Sequence, residues 1–245
     1  MSELFPVLIL AGGLATRLRP LTSTIPKALI EINGEPFIVH QLRLLKKNNI
    51  HKVILCVGYL GHLVEDFLGN GKKLGIEIKY SYEPEKLLGT GGAIKNALRH
   101  VADNFFVLYG DSYLPCDYLR VQQSFLEQNR LSLMTVFKNE GQWDTSNVVF
   151  RNNEIEVYDK NNRTPLMNFI DYGLGVFNRK AFDYIPSDEV IDLATIYQDL
   201  LKNKQLSALE ITERFYEVGS FAGIEELQYY LTRNELITNN KILTN

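Results

Sequence analysis

The sequence predicts a three-layer α/β protein built on a mixed, mostly parallel sheet. Three observations predict it. Short β-rich apolar runs alternate with amphipathic stretches through the first hundred residues, the βαβα order of a parallel sheet. Two of these runs, Val7-Leu8-Ile9-Leu10 and Phe105-Phe106-Val107-Leu108, are apolar at every position, as strands covered by helices on both faces must be. After Asp111 shorter strands follow one another more closely, so the second half is expected to be more antiparallel.

In chain order, the first half reads as a strand at 7–11, a helix at 37–49, a strand at 52–57, a helix at 60–68, a strand at 76–82, a helix at 92–101 and a strand at 104–109. A helix near 117–129 and a strand at 131–137 come next, then short strands around 148–150, 154–158 and 172–177. Helices are expected near 179–184, 192–202 and 223–234, with the polar end from Thr238 frayed or packed against a partner. No repeat, low-complexity tract or linker interrupts the chain, so residues 1–245 are read as one domain.

Composition narrows the class. At roughly 150 residues per domain, 245 residues allow one or two domains. With 45% hydrophobic residues, the chain can bury roughly 70–75% of its unfolded surface, so no structural metal or disulfide is needed. A net charge of −3 argues against a protein that coats nucleic acid or anionic membrane, while allowing a local basic pocket. Cys56 and Cys116 lack partners at metal-ligand spacing and read as buried filler in a reducing, cytoplasmic setting. No run approaches the ~18–20 apolar residues of a membrane span, and the N-terminus lacks the basic region and long apolar run of a signal peptide.

The strongest local signal is Leu10-Ala11-Gly12-Gly13-Leu14-Ala15-Thr16-Arg17-Leu18-Arg19-Pro20-Leu21-Thr22, followed by Pro26-Lys27. Paired glycines after a buried strand let backbone amides approach phosphate oxygens, and Arg17 and Lys27 add fixed positive charge beside them. Taken singly, the same residues also describe a tight turn with two solvated bases. The Walker form G-x-x-x-x-G-K-[ST] is absent, and the dinucleotide form G-x-G-x-x-G fails at Leu14. Cys56-Val57-Gly58 stands where a dinucleotide fold carries its acidic residue, which argues against a nicotinamide oxidoreductase.

Here the chain resembles the bacterial sugar-1-phosphate nucleotidyltransferases, whose signature is a strand, G-G-x-G-T-R-L-x-P-L-T and a later P-K. Further landmarks recur in order: Gly89-Thr90-Gly91-Gly92-Ala93, Gly110-Asp111, Asp159-Lys160, Gly173-Leu174-Gly175-Val176-Phe177 and Glu217-Val218-Gly219. Ala15 departs from the family's glycine. The resemblance is greatest to D-glycero-D-manno-heptose 1-phosphate guanylyltransferases. It implies the Rossmann-like nucleotide-diphospho-sugar transferase fold, with a nucleotide-binding half at about 1–115 and a sugar-phosphate half at about 116–245.

The resemblance also implies roles. Arg17 would hold the triphosphate and departing pyrophosphate, and Lys27 would reach the phosphates of nucleotide or sugar. Backbone at Leu10, Ala11, Gly12 and Gly13, with Thr16 and the Gly89, Thr90, Gly91 segment, would meet the nucleotide. Asp159-Lys160 matches an E-K pair in which the lysine binds sugar phosphate and the acid a hydroxyl, with Asn147, Asp171 and Tyr172 expected around them. Ordinary strand-end polar residues are the alternative reading for that group.

Chemistry supports parts of this independently. Asp111 follows a strand at the carboxyl end of the sheet, where α/β proteins place ligands, and a carboxylate opposite a phosphate loop suits Mg²⁺. Glu217 stands where the family usually carries a second Asp. It is a hard oxygen ligand one methylene longer, or else a helix-start carboxylate. Glu83, after the strand at 76–82, can only accept, which favours guanine's adjacent N1–H and N2–H donors over the single N–H of uracil or thymine. No general base is required, because a phosphate monoester with its second pKa near ~6 is already largely deprotonated. The four histidines, His40, His51, His62 and His100, read as surface or capping residues.

The expected reaction is Mg²⁺-dependent nucleotidyl transfer from a nucleoside triphosphate to a sugar 1-phosphate, with GTP and heptose 1-phosphate leading. Uridylyl, thymidylyl or guanylyl transfer to glucose or mannose 1-phosphate, a cytidylyltransferase for a small phosphorylated alcohol, and a non-catalytic nucleotide-sugar-binding regulator are the alternatives. Neither nucleic acid nor membrane is an expected partner, and assembly into a homo-oligomer is left open.

Overall fold

The two unbroken apolar runs, Val7–Leu10 and Phe105–Leu108, form central strands that bury both of their faces. The computed structural model describes residues 3–13, 18, 20–84 and 86–243. Its strands are β1 (Val7–Leu10), β2 (Glu31–Ile32), β3 (Glu35–Pro36), β4 (Lys52–Val57), β5 (Glu77–Tyr82), β6 (Asn104–Tyr109), β7 (Ser112–Tyr113), β8 (Ser132–Lys138), β9 (Val148–Arg151), β10 (Glu154–Tyr158), β11 (Phe169–Asn178), β12 (Leu206–Ile211) and β13 (Tyr216–Glu217). The helices are α1 (Phe37–Lys47), α2 (Gly61–Leu68), α3 (Gly89–Ala97), α4 (Tyr118–Gln128), α5 (Leu193–Lys202) and α6 (Phe221–Leu243).

Among the described residues, nine strands make one mixed sheet that runs through both halves of the chain. β5, β4, β1 and β6 are neighbours and parallel. β11 then lies antiparallel between β6 and β8, and β12 pairs in parallel with β8. The antiparallel pair β9 and β10 attaches where Phe169 meets Val148. Only β10 and β11 run against the other seven strands, so the sheet is mostly parallel in direction.

Side-chain alternation divides the core into layers. Val7 and Ile9 join Phe106 and Leu108 in one cluster with α1, α2 and α4; Leu8 joins Phe105 and Val107 in another with α3 and α5. Two-sided burial explains why these strands read as unbroken apolar runs. Asp117 caps α4 by accepting from Arg120 N–H, and Asp192 caps α5 by accepting from Ala194 N–H. Cys56 and Cys116 are buried and unbridged, and burial pushes both thiols up to about 12. Among the described residues, no helix is long and apolar enough to cross a membrane.

Several elements depart from the sequence reading, and the helix expected at 179–184 is a 3-10 turn over Arg179–Phe182. The β2–β3 hairpin turns at Asn33-Gly34, both at positive φ, an Asn-Gly turn signal that the reading passed over. β12 is rich in Leu, Ala and Glu, residues that favour helix; pairing with β8 at six positions overrides that preference. β11 begins at Phe169 rather than 172, because between Asp171 and Gly175 it advances four residues while β8 advances two, a bulge that breaks the pattern. α6 continues to Leu243, so the segment from Thr238 to that residue is helical.

One contact fixes the centre of the sheet. Gly110 N–H donates to Leu10 C=O at 3.1 Å, and a Cβ on Gly110 would lie 2.3 Å from that oxygen. Gly110→Ala therefore forces β1 and β6 apart. We expect a loss of about 1–3 kcal/mol in urea unfolding, the usual cost of overpacking, whereas Gly13→Ala, which meets nothing within 4 Å, should be near neutral.

Candidate active site

The chain runs from β1 outward through β4 to β5, then returns to β6 on the other side of β1. That reversal opens a crevice beyond the carboxyl ends of β1 and β6, the usual ligand position in open α/β sheets. Ala11 N–H to Cys56 C=O and Glu83 N–H to Val57 C=O, both 2.9 Å, fasten the loops that wall it. Leu10, Ala11, Gly12, Gly13, Lys27, Glu83, Gly89, Thr90 and Asp111, all singled out from sequence, line this cleft. Thr16 and Arg17, the other predicted loop residues, lie outside the described residues.

At the Glu83 side of the cleft, Gly12 permits a close approach: a Cβ there would lie 2.7 Å from Glu83 Oε1. Glu83 Oε2 accepts from Leu88 N–H at 3.2 Å, and burial holds the carboxyl above its ordinary pKa. The Gly89–Gly92 segment is not a loop before a helix, as its composition suggested, but the first turn of α3. Its partner explains this. Gly91 and Gly92 N–H both donate to Ile191 C=O, and Thr90 Oγ1 accepts from Leu193 N–H at 2.8 Å. Gly89 and Thr90 thus line the cleft, while the Gly91 amide is committed to Ile191.

At the mouth, Lys27 Nζ lies 2.9 Å from Asp111 Oδ2, so the structure joins two residues separated by 84 positions. Lys27 opens a short 3-10 turn anchored by buried Ala28, and Asp111 follows Gly110 at the end of β6. Glu217 is carried to the same place: β13 pairs antiparallel with β7, setting Glu217 opposite Ser112, and Val218 N–H donates to Asp111 C=O. Among the described residues no cluster of three metal-ligating side chains forms.

Beside Lys160 and Asp171 lie two residues that sequence reasoning missed. Tyr109 and Tyr158 hydroxyls lie 3.4 and 3.3 Å from Asp171 Oδ2, and Lys160 Nζ lies 3.3 Å from the Tyr109 hydroxyl. Both tyrosines end strands one or two residues before predicted site residues, Asp111 and Asp159, a signal available in the sequence. Asn147 Oδ1 accepts from Asp171 N–H at 3.0 Å and so positions the strand carrying that carboxylate. Burial raises the Asp171 pKa, with Lys160 opposing the shift.

Two expected sugar-side residues lie elsewhere. Tyr172 follows Asp171 in β11, so alternation turns its ring to the opposite face, where it packs against Phe137 and Phe215. The Asp159 carboxylate accepts from the Asn161 and Asn162 backbone N–H groups and the Asn162 amide, which holds its pKa below the ordinary value and shapes its own turn.

The architecture and this cleft define a nucleotide-handling α/β transferase. The nucleotidyl transferase family model matches residues 6–234, and the chain belongs to that family. It is 30% identical over 213 residues to a D-glycero-alpha-D-manno-heptose 1-phosphate guanylyltransferase of Campylobacter jejuni, covering 86% of this chain and 93% of the relative. It is also 30% identical over 227 residues to an N-acetylmuramate alpha-1-phosphate uridylyltransferase of Neisseria meningitidis, covering 90% and 96%. The inositol-1-phosphate CTP transferase of T. maritima shares the fold at TM-score 0.77 and 23% identity, covering 93% of this chain and 96% of that one.

The raised Asp171 pKa has a stability consequence. Below the unfolded value near 3.9, both states are protonated and burial costs nothing; as pH rises past it, the folded state holds the proton longer and loses stability until its own pKa is passed. Asp171→Asn removes that loss. Thermal unfolding should show the variant gaining on the native protein as pH rises above about 4, with the difference shrinking toward pH 3.

Proposed function

We propose that this protein transfers a nucleotidyl group from a nucleoside triphosphate to a sugar 1-phosphate, with GTP and a heptose 1-phosphate as substrates. The observation that carries this reading is the order of charge along one cleft. Glu83 lines the cleft beside Gly12, Lys27 and Asp111 line it as an ion pair, and Lys160 stands past the lining at the Tyr109 hydroxyl. A base, a triphosphate and a sugar phosphate fit that order in turn.

An acceptor phosphate oxygen attacks the α-phosphorus; the P–O bond to the β-phosphate breaks, and pyrophosphate leaves in line. The acceptor needs no deprotonation at neutral pH, so catalysis rests on positioning and charge stabilisation. Lys27 can exchange Asp111 for phosphate oxygens. Lys160, which among the described residues makes no ion pair, can take the acceptor phosphate. The predicted Arg17 would add charge on the triphosphate side.

Asp111 and Glu217 are the residues that would hold Mg²⁺. Asp111 directly precedes β7 and Glu217 lies on its partner strand β13, both are hard oxygen donors, and Mg²⁺ typically takes one or two carboxylates with phosphate oxygens and water. When bound, the ion would neutralise charge on the phosphates.

Relatives of equal identity differ in base, one guanylyl and one uridylyl, so they do not choose between GTP and UTP. Glu83 favours guanine: a half-buried acceptor near Gly12 suits paired donors, and losing a hydrogen bond to a charged group costs about 1.5–3 kcal/mol.

A panel of four nucleoside triphosphates against heptose, mannose and glucose 1-phosphates, read by Mg²⁺-dependent pyrophosphate release, tests this reading. GTP with a heptose or manno acceptor should give the highest kcat/KM; nucleotide binding without release from any pair would refute it. Asp111→Asn should lower kcat by about 100-fold or more while changing stability by at most about 1 kcal/mol. Glu83→Gln should cut kcat/KM for GTP by about tenfold or more and that for UTP much less; equal losses would remove Glu83 from base selection.

A further inference from the structure

Glu217 is carried to Asp111 on a strand of two residues. β13 pairs with β7, setting Tyr216 opposite Tyr113 and Glu217 opposite Ser112. A ladder this short does not hold itself in water, so its rigidity must come from what packs against it. Alternation puts Tyr216 and Tyr113 on one face and Glu217 on the other. On the tyrosine face, the Tyr230 ring of α6 lies 4.3 Å from that of Tyr216 and 6.1 Å from that of Tyr113, centroid to centroid.

Arg214 fastens that face to two further segments. Its guanidinium carbon lies 3.4 Å from the Trp143 ring centroid and 4.8 Å from the Tyr216 centroid, and the group pairs with Glu226 of α6. The buried Nε finds no acceptor among the described residues, so stacking, rather than a full set of hydrogen bonds, holds the plane. Trp143 comes from the loop between β8 and β9, which buried Asn139 braces by donating to Asp144 C=O and accepting from Trp143 N–H. The same loop leads to Asn147, whose Oδ1 accepts from Asp171 N–H. Arg214 therefore joins the strand of Glu217, the last helix and the loop before Asn147.

We propose that Arg214 is a positioning residue for Glu217: clasped by Trp143, Tyr216 and Glu226, it holds β13 so that the carboxylate stays beside Asp111, where the two would share a divalent cation. The role rests on the nucleotidyl-transfer reading, in which these carboxylates hold Mg²⁺. Both features of arginine are used. Its charge pairs with Glu226, and its flat, delocalised face covers an indole, which a compact ammonium does less well. Without the clasp the carboxylate samples more positions, and a cation that demands near-ideal octahedral geometry is held less tightly by a ligand free to move.

The test reads metal affinity rather than turnover. Mn²⁺ is titrated, by water-proton relaxation, into protein loaded with whichever of the four nucleoside triphosphates binds most tightly, with no acceptor present. Arg214→Ala and Arg214→Lys should each weaken Mn²⁺ binding about tenfold, the lower end for removing a group that orients a metal ligand, while triphosphate affinity without metal stays within about twofold. Trp143 is exposed, so its truncation tests the clasp without emptying the core. Trp143→Ala should weaken Mn²⁺ in the same direction, and Trp143→Phe, which keeps a ring beneath the guanidinium, should restore it. Because the effect passes through Glu217, Glu217→Ala should weaken Mn²⁺ at least as much, and adding Arg214→Ala to it should cost little more. Native Mn²⁺ affinity in Arg214→Ala, recovery by Arg214→Lys, or additive losses in the double variant would each overturn the proposal. Native affinity in Glu217→Ala would remove Glu217 from the metal site and this role with it, and if no triphosphate binds, reaction and role fall together. Absence of nucleotidyl transfer with the Mn²⁺ pattern intact would refute the reaction alone.

Discussion

The cleft depends on one close approach of backbone to backbone. At the end of the central strands, Gly110 N–H bonds Leu10 C=O with no room for a side chain between them. That contact sets the register in which the glycine loop after β1 faces the carboxylate after β6. On one side of Gly110, Asp111 meets Lys27; on the other, Tyr109 reaches Asp171 and Lys160. Both halves of the cleft are thus hung from a single point of the sheet, and the path of the chain from β1 to β5 and back to β6 places that point at a ligand-binding crevice.

Charge is then distributed by local pairing rather than by overall balance. The protein carries a net −3, yet Lys27 lines its cleft and Lys160 stands beside Tyr109, one of the cleft's lining residues. Lys27 is neutralised by Asp111, which keeps the mouth from carrying an unpaired cation. A triphosphate offers Lys27 several anionic oxygens in exchange. Behind the mouth, the strand pair β7–β13 is braced by an aromatic and cationic stack: Arg214 lies 3.4 Å over Trp143 and 4.8 Å over Tyr216, whose ring packs on Tyr230. The stack fixes the strand that carries Glu217 without adding charge to the cleft.

Much of this was legible in the sequence because the relevant patterns are local. Two-sided apolar runs gave β1 and β6, the Gly12-Gly13 pair marked the loop, and Gly110-Asp111 marked the end of a strand. Where local preference and tertiary pairing disagree, the reading failed. β12 has a helix-favouring composition and is a strand only because β8 lies beside it, and the start of β11 is hidden by its bulge. In the site, proximity along the chain misled twice. Tyr172 neighbours Asp171 in sequence but points to the other face, and Asp159 neighbours Lys160 but closes its own turn. Tyr109 and Tyr158 went unnoticed because an aromatic at a strand end normally reads as core; only the fold brings both hydroxyls to one carboxylate.

The central claim is that bond breakage occurs between the α- and β-phosphates, with the acceptor phosphate as nucleophile. Phosphorus-31 NMR of the protein with Mg²⁺, GTP and a heptose 1-phosphate follows that directly. The account predicts paired resonances of a new pyrophosphate diester growing in step with free pyrophosphate, as the acceptor monoester disappears. Accumulation of nucleoside diphosphate with inorganic phosphate or a doubly phosphorylated sugar would place cleavage at the γ-phosphate and contradict it.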